Sequence, residues 1–432
     1  MRIAVIGSGI AGLAAAWLLS RKHAVTLFEA DERLGGHTHT HDVAVGSRRY
    51  ALDTGFLVHN PRHYPLLTRL FDQLGVASQQ STMSFSVRHE ASGREYNAAT
   101  LDTIFCQRRN LVSLRFLGMV RDLLRFYREA PALLRTSGDG PTLGEYLREG
   151  GYGAAFRDEH LVPMASALWS SPAAEILGFP ARYLLQFMAN HQMLQVRDRP
   201  AWRVVRGGSA TYIRALSAHW RVQVRLSCRV QALRRLPDGV EVTSAAGAER
   251  FEEVVLACHA DQTLTLLADA SDAERAVLGA IRFQDNDTVL HTDASVLPRH
   301  RKAWAAWNAL VPRVPTQACT VSYCLNLLQG LDCPLPLVVT LNGTASIDPA
   351  KVLQRMHYRH PLYSHASVAA RARKGDIQGR RHTWFAGAYW GWGFHEDGMR
   401  SAVEVAAALG VPWPVHAGSP VPPAARTLQV AA

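Results

Sequence analysis

The sequence predicts an α/β fold, a parallel sheet with covering helices interleaved with an α+β region, and three observations predict it. Residues 1–28 read as apolar strand, glycine-rich turn, Ala/Leu-rich helix and second apolar strand. A strand, a glycine turn and a helix follow one another again at 383–409. The chain has 432 residues, 48% of them hydrophobic, which is enough for two substantial cores rather than one.

The first strand, Ile3 to Ile6, runs into Gly7, Gly9 and Gly12, with Ser8, Ile10 and Ala11 between them. Strand, turn and helix in that order are the setting of a dinucleotide fingerprint. Gly7 permits the tight turn, Gly9 lets backbone approach a pyrophosphate, and Gly12 lets helix and strand pack closely, while the helix start favours phosphate charge. The second strand, Ala24 to Phe28, ends at Glu29, where a carboxylate can bind the hydroxyls of an adenosine ribose. Ala30, Arg33, the pair Gly35-Gly36 and His37 follow at once.

Arg33 with Gly35-Gly36 resembles the second glycine motif of flavoproteins in the amine oxidase and phytoene desaturase superfamily. The chain is also similar to a bacterial group of NAD/FAD-binding amine oxidoreductases. The resemblance continues through Asp53-Thr54-Gly55, Arg206-Gly207-Gly208-Ser209, the strand holding Val230, the strand Val254 to Cys258, and a last motif spanning Gly387, Glu396, Asp397 and Gly398. It implies FAD as cofactor and a Rossmann-type, glutathione reductase-like domain. FAD contacts are then expected at Gly7 to Gly12, Glu29, Ala30, Arg33, Gly35 to His37, Thr54, Gly55, Val230, Gly387 and Glu396 to Gly398. Asp397 and Gly398 would open the final helix. Residues 1–90, 203–272 and 380–412 are expected to form the FAD domain and 91–202 and 273–379 the substrate domain, with 413–432 a disordered tail.

Resemblance also implies hydride removal from a C–N or C–C bond of a small or apolar substrate. Amine oxidases carry a lysine on a strand that corresponds to Asn286-Asp287-Thr288-Val289-Leu290, where this chain has none; Lys302 is the nearest. The cage aromatic, often tyrosine, corresponds to Phe394, which leans the reading toward an apolar or lipid substrate. Phe394, His395, Trp392 and His259 are the candidate catalytic side chains, and Trp304 and Trp307 are candidates for the pocket wall. A flavin-dependent isomerase or mutase and a flavin-stabilised scaffold are the alternatives. The electron acceptor, oxygen or a quinone-like partner, stays open.

His37, His39 and His41 alternate as metal ligands on a strand would, but no distant Cys/His pair completes a site, so no metal is expected. Six scattered cysteines without a CxxC pair suit reduced thiols, and the absence of a leader pattern or a long apolar stretch suits a cytoplasmic enzyme. Arginines supply most of a +11 net charge but are spread along the chain, so nucleic acid is not an expected partner. The exception is 107–135, where Leu114, Leu117, Val120, Leu124 and Tyr127 recur at helical spacing among arginines. One amphipathic helix is expected over Arg108 to Arg128. It would pack that stripe on the substrate-domain core or, as the second reading, touch anionic membrane at the inner face.

Overall fold

Apolar runs buried on both faces form parallel strands, and four such runs with the more exposed edge strand Val222–Arg225 make the central sheet. A computed structural model describes residues 1–136, 138–169, 171–196, 198–218, 220–313 and 320–413. The central sheet runs in the order Thr383–Phe385, Glu253–Leu256, Arg2–Ile6, Ala24–Phe28, Val222–Arg225, all parallel. Its strands therefore come from the two ends and the middle of the sequence. All ten residues of the Ile10–Leu19 helix are buried, because the helix is sandwiched between this sheet and the His395–Ala408 helix. The close approach is set at Gly398, where an added Cβ would lie 2.7 Å from Ile10 Cγ2.

A second sheet of seven strands takes its members from 85–97 and 283–361 and is antiparallel except where Trp307–Val311 runs beside Phe85–His89. Helices from the 114–190 stretch cover one side of it around an aromatic core that includes Phe116, Phe126, Phe156 and Phe187. The cavity described below lies where this body meets the central sheet. Among the described residues no helix is long and apolar enough to cross a membrane.

Three expectations are corrected. The basic segment is two elements, a 3-10 turn at Arg108–Val112 and an α-helix at Leu114–Glu129, divided at Ser113, whose Oγ accepts the Phe116 N–H and caps the helix. Its core stripe is Phe116, Met119, Leu123 and Phe126, which displaces the expected leucine stripe because the larger rings bury more area. The last helix opens at His395, two residues before Asp397. Trp413 is buried edge-on to Trp17 at 5.7 Å, so the first residue assigned to the tail packs on the core. Residues 414–432, and Cys319 with its suggested pairing to Cys324, lie outside the described residues.

Candidate active site

One elongated cavity of about 1210 Å³ runs from the first glycine turn into the body of the second sheet. At its nucleotide end Gly7 takes φ +97°, a conformation side chains resist, and its N–H donates to the Phe28 carbonyl at 2.8 Å. A Cβ at Gly12 would lie 1.8 Å from the Gly7 oxygen, whereas one at Gly9 would meet no protein atom within 4 Å. Gly12 is thus a packing glycine away from the cavity wall, and Gly9 faces open space. No side chain caps the helix that starts after Gly9, so its first N–H groups remain for a ligand.

Glu29 lines the same end together with Ala30, Arg33, Gly35, Gly36 and Val230. Its Oε2 accepts from the Ser8 N–H at 2.8 Å and the Ser8 hydroxyl at 2.6 Å, and Oε1 accepts from the Asp31 N–H at 2.9 Å. The carboxylate is held in place and keeps acceptor capacity at Oε1. Arg33 points inward to its own loop, donating to the carbonyls of Gly36 at 2.9 Å and Thr38 at 3.2 Å. Thr54 and Gly55 line the cavity, yet the space Gly55 leaves is filled by the His37 carbonyl, 2.1 Å from where a Cβ would be. Asp53 is buried and accepts from Ser209 N–H and Oγ and from Thr40 Oγ1, which ties the Gly207-Gly208 turn to the two-stranded hairpin of Thr40–Val45 and Arg48–Asp53. Burial raises the Asp53 carboxyl to about 6 despite those bonds.

Three histidines gather beside the glycine turns. The His37 ring lies 6.1 Å from His259 and 5.2 Å from His360. Desolvation lowers the pKa of His37 to about 4 and those of His259 and His360 to about 3, so all three are neutral near pH 7. Asn286 fixes the His360 tautomer. Its Nδ2 donates to the Gln284 carbonyl at 3.2 Å and faces His360 Nδ1 at 2.9 Å, so Nδ1 accepts and Nε2 carries the hydrogen. This amide occupies the strand where resemblance placed a lysine, and no lysine lines the cavity among the described residues. His39 and His41 lie elsewhere, with rings 3.9 Å apart and His39 Nδ1 3.1 Å from the Tyr358 hydroxyl.

The far arm is lined by Met83, Phe85, Met164, Leu168, Phe187, Met193, Trp307, Tyr323 and Leu341. Phe394 stacks on Phe187 at 5.3 Å between arm and cofactor end. His191 also lines the arm, and its Nδ1 lies 2.9 Å from the Phe187 carbonyl. A carbonyl only accepts, so Nδ1 is the protonated nitrogen and Nε2 holds the lone pair. Desolvation keeps this ring neutral, with a pKa of about 4. Among the described residues the only carboxylates in the cavity wall are Glu29 and Asp31, both at the nucleotide end.

Several predicted residues are placed apart from the cavity. Glu396 accepts the N–H groups of Leu66 and Leu67, each at 3.0 Å, and so caps the Pro65–Leu74 helix. Asp397 accepts from Trp392 N–H at 3.0 Å and Phe394 N–H at 3.1 Å, and caps its own helix. Trp392 and Gly398 pack in the interior, Lys302 is exposed and paired with Asp102, and Trp304 donates to the Pro298 carbonyl. His395 reaches the wall, but its Nε2 bonds Thr38 Oγ1 at 2.9 Å and its ring stacks on Phe56. Gly387, Trp307 and His259 line the cavity.

Sequence reasoning missed His360, Tyr358, Asn286 and His191. The run HYRHP at 357–361 carried a signal, since two ring side chains at alternate strand positions face one side. Its partner Asn286 is 74 residues away and lay beyond any local pattern.

FAD fits this wall. An uncapped helix start with open space at Gly9 suits a pyrophosphate, and His37 Nε2 and His259 Nδ1 are sealed from solvent with no hydrogen-bond partner. A glycine turn at a parallel sheet, followed by an anchored carboxylate and an extended cavity, defines a dinucleotide-binding protein. The model of the family described as flavin-containing amine oxidoreductase matches residues 10–282, and the chain belongs to that family. It is an FAD-dependent oxidoreductase.

Solved structures of the same fold include the CLA-producing fatty acid isomerase from P. acnes, at 17% identity and TM-score 0.69 over 94% of this chain and 98% of that one. Cyclohexylamine oxidase from Brevibacterium oxydans IH-35A has 17% identity and TM-score 0.68 over the same shares. Putrescine oxidase bound to putrescine has 13% identity and TM-score 0.67 over 95% and 99%. No curated protein matches the chain.

Proposed function

We propose that the protein oxidises an uncharged, apolar substrate by taking a hydride from a carbon held in the far arm. The observation that carries this reading is the arm's wall: chiefly methionine, leucine and aromatic side chains, with His191, Gln192 and the exposed Arg199 among its polar members and no carboxylate or lysine among the described residues. A cationic amine would lose its hydration there and meet no counter-charge. In this reading Glu29 receives the adenosine ribose, Gly9, Gly36 and His37 surround the pyrophosphate, and Thr54, Gly387 and Phe394 border the ring system. FAD, when bound, supplies the hydride acceptor. The apolar wall orients the substrate carbon and excludes water, and His191 Nε2 is the group placed to accept a proton from the adjacent carbon. The hairpin Phe85–Asn97 belongs with the second sheet, so the first FAD segment ends before residue 85 in the division we propose.

An apolar substrate resides in a lipid phase, and a peripheral contact with anionic membrane accompanies the proposal. Anaerobic mixing tests it. Primary amines and polyamines are expected to leave the flavin oxidised, whereas an unsaturated or saturated lipid of the right shape bleaches it stoichiometrically. Rapid bleaching by a simple amine would overturn the reading. Product formation without net reduction would select the isomerase alternative.

A further inference from the structure

The segment 101–129 has a surface unlike the rest of the molecule. Between residues 108 and 128 the ten exposed residues are five arginines and five leucines or valines, and the exposed carboxylates Asp102 and Glu129 stand only at the two edges of the segment. Of the eleven large hydrophobic side chains exposed among the described residues, six lie between 101 and 124. Leu114 is 86% exposed, Val112 82% and Leu101 80%, values typical of side chains with no protein neighbour on one side.

The pattern is ordered on the helix. Leu114, Leu117, Arg121, Leu124 and Arg128 recur at alternating spacings of three and four, which puts them on one face. The core residues Phe116, Met119, Leu123 and Phe126 follow the same spacing on the opposite face. Sixteen residues give this face a length of roughly 24 Å. The preceding turn extends it with Val112 and with Arg109, whose guanidinium bonds only the Gly93 carbonyl and the Gln107 side chain. The carboxylates nearby are occupied: Asp122 and Glu159 are buried against Arg121 and Arg115, Asp102 is shared by Arg108 and Lys302, and the exposed Glu129 pairs with Arg125 and Arg128.

We propose that this face docks on an anionic phospholipid surface. Leucines and valines standing out from the protein insert among acyl chains, while arginines between them reach outward to phosphates, which a planar guanidinium binds with two parallel hydrogen bonds. An acidic protein would satisfy the arginines but leave the projecting leucines without pockets, so the bilayer is the occupant the side chains favour. The same helix carries Tyr127 into the cavity wall, so docking sets the cavity beside the lipid. The proposal rests on the apolar-substrate reading for what enters the arm, and on the exposed face alone for the docking.

The test is sedimentation of the holoenzyme with vesicles of phosphatidylcholine, with and without phosphatidylglycerol, at low and high salt. Binding is expected only to the anionic vesicles, and weakens as salt screens the arginines. Arg109 and Arg128 replaced together by glutamine lower the partition coefficient by about 30-fold. The pair Val112→Ser and Leu114→Ser lowers it comparably, and both double variants keep the wild-type melting temperature because these side chains hold nothing in the core. Arg48 and Arg49 replaced by glutamine, exposed on another surface, leave binding unchanged. The proposal is overturned if wild type ignores anionic vesicles, if the face variants bind as wild type does, or if polyglutamate competes the lipid away completely. Flavin reduction in detergent is measured separately. Loss of docking with reduction by lipid intact breaks only this proposal, and docking without such reduction breaks only the substrate reading.

Discussion

The two ends of the cavity are built in opposite ways. The nucleotide end is made mostly of backbone from one short stretch, in which Gly7 to Gly36 supply a turn, an uncapped helix start and one anchored carboxylate. The far arm is made of side chains from strands at 85, 307, 323 and 341 and helices at 164 and 187. A backbone site tolerates almost no change in residue size and specifies one ligand shape. A side-chain site can be re-lined piece by piece, which is how one family fold accommodates different substrates.

If that contrast is correct, glycine substitutions at the first end have the largest effects. Gly12→Val drives a side chain into the Gly7 carbonyl, and the variant is expected to yield no folded flavoprotein. Gly9→Val points into open cavity, so it should melt like wild type yet bind no FAD. Flavin absorbance and a melting curve together separate the two outcomes, and FAD retained by Gly9→Val would break the comparison.

Acid tests both halves at once. Burial lowers His59, His160, His191 and His291 to about 4 and His395 to about 3. A depressed histidine contributes stability above its unfolded value near 6.5, and that stability is lost as pH falls toward 4. Burial raises Glu396 to about 7 and Asp53 to about 6; each favours the fold below its unfolded value, and that stability is lost as pH rises through the folded one. With His37, His259 and His360, eight lowered histidines outweigh the raised carboxyls of Glu396, Asp53 and Asp397, so the melting temperature is expected to fall steadily from about pH 7 to about pH 5. A melting temperature that rises over that range would show that the histidines are not neutral in the fold.

Glu29→Ala should weaken FAD binding by roughly 1.5–3 kcal/mol, the worth of charge-assisted hydrogen bonds, measured by titrating apoprotein with FAD. The smallest change belongs to the arm. Met164→Leu keeps volume and should cost under about 1.5 kcal/mol of stability, with FAD affinity unchanged and only the substrate kcat/KM altered. A loss of FAD affinity there would mean the two ends are not separable.

The same contrast explains what was legible in the sequence. The glycine turn, Glu29 and the Gly35-Gly36 pair could be read because turn, helix start and strand end are local, and the parallel fold followed from them. The arm could not be read, since Phe187, Trp307 and Leu341 become neighbours only through pairing over long separations. Helical spacing in 114–129 was visible, but the helix carries two apolar stripes. Periodicity alone does not say which one the core takes; side-chain area decided for the phenylalanines. In the final motif, Glu396 and Asp397 sit in the expected segment and their carboxylates cap helices, a role the local pattern did not reveal.

The order of strands in the central sheet has a consequence for synthesis. The strand at residues 2–6 pairs with 253–256, and that strand with 383–385. At about 5–20 residues per second, roughly 20–80 seconds separate the emergence of the first strand from that of the last. Through that interval the sheet has an open hydrophobic edge, with the apolar Ile10–Leu19 helix lacking the carboxy-terminal helix that covers it. A nascent chain of this design needs shielding on the ribosome, and chaperone crosslinking should persist until the region around residue 400 has left the exit tunnel.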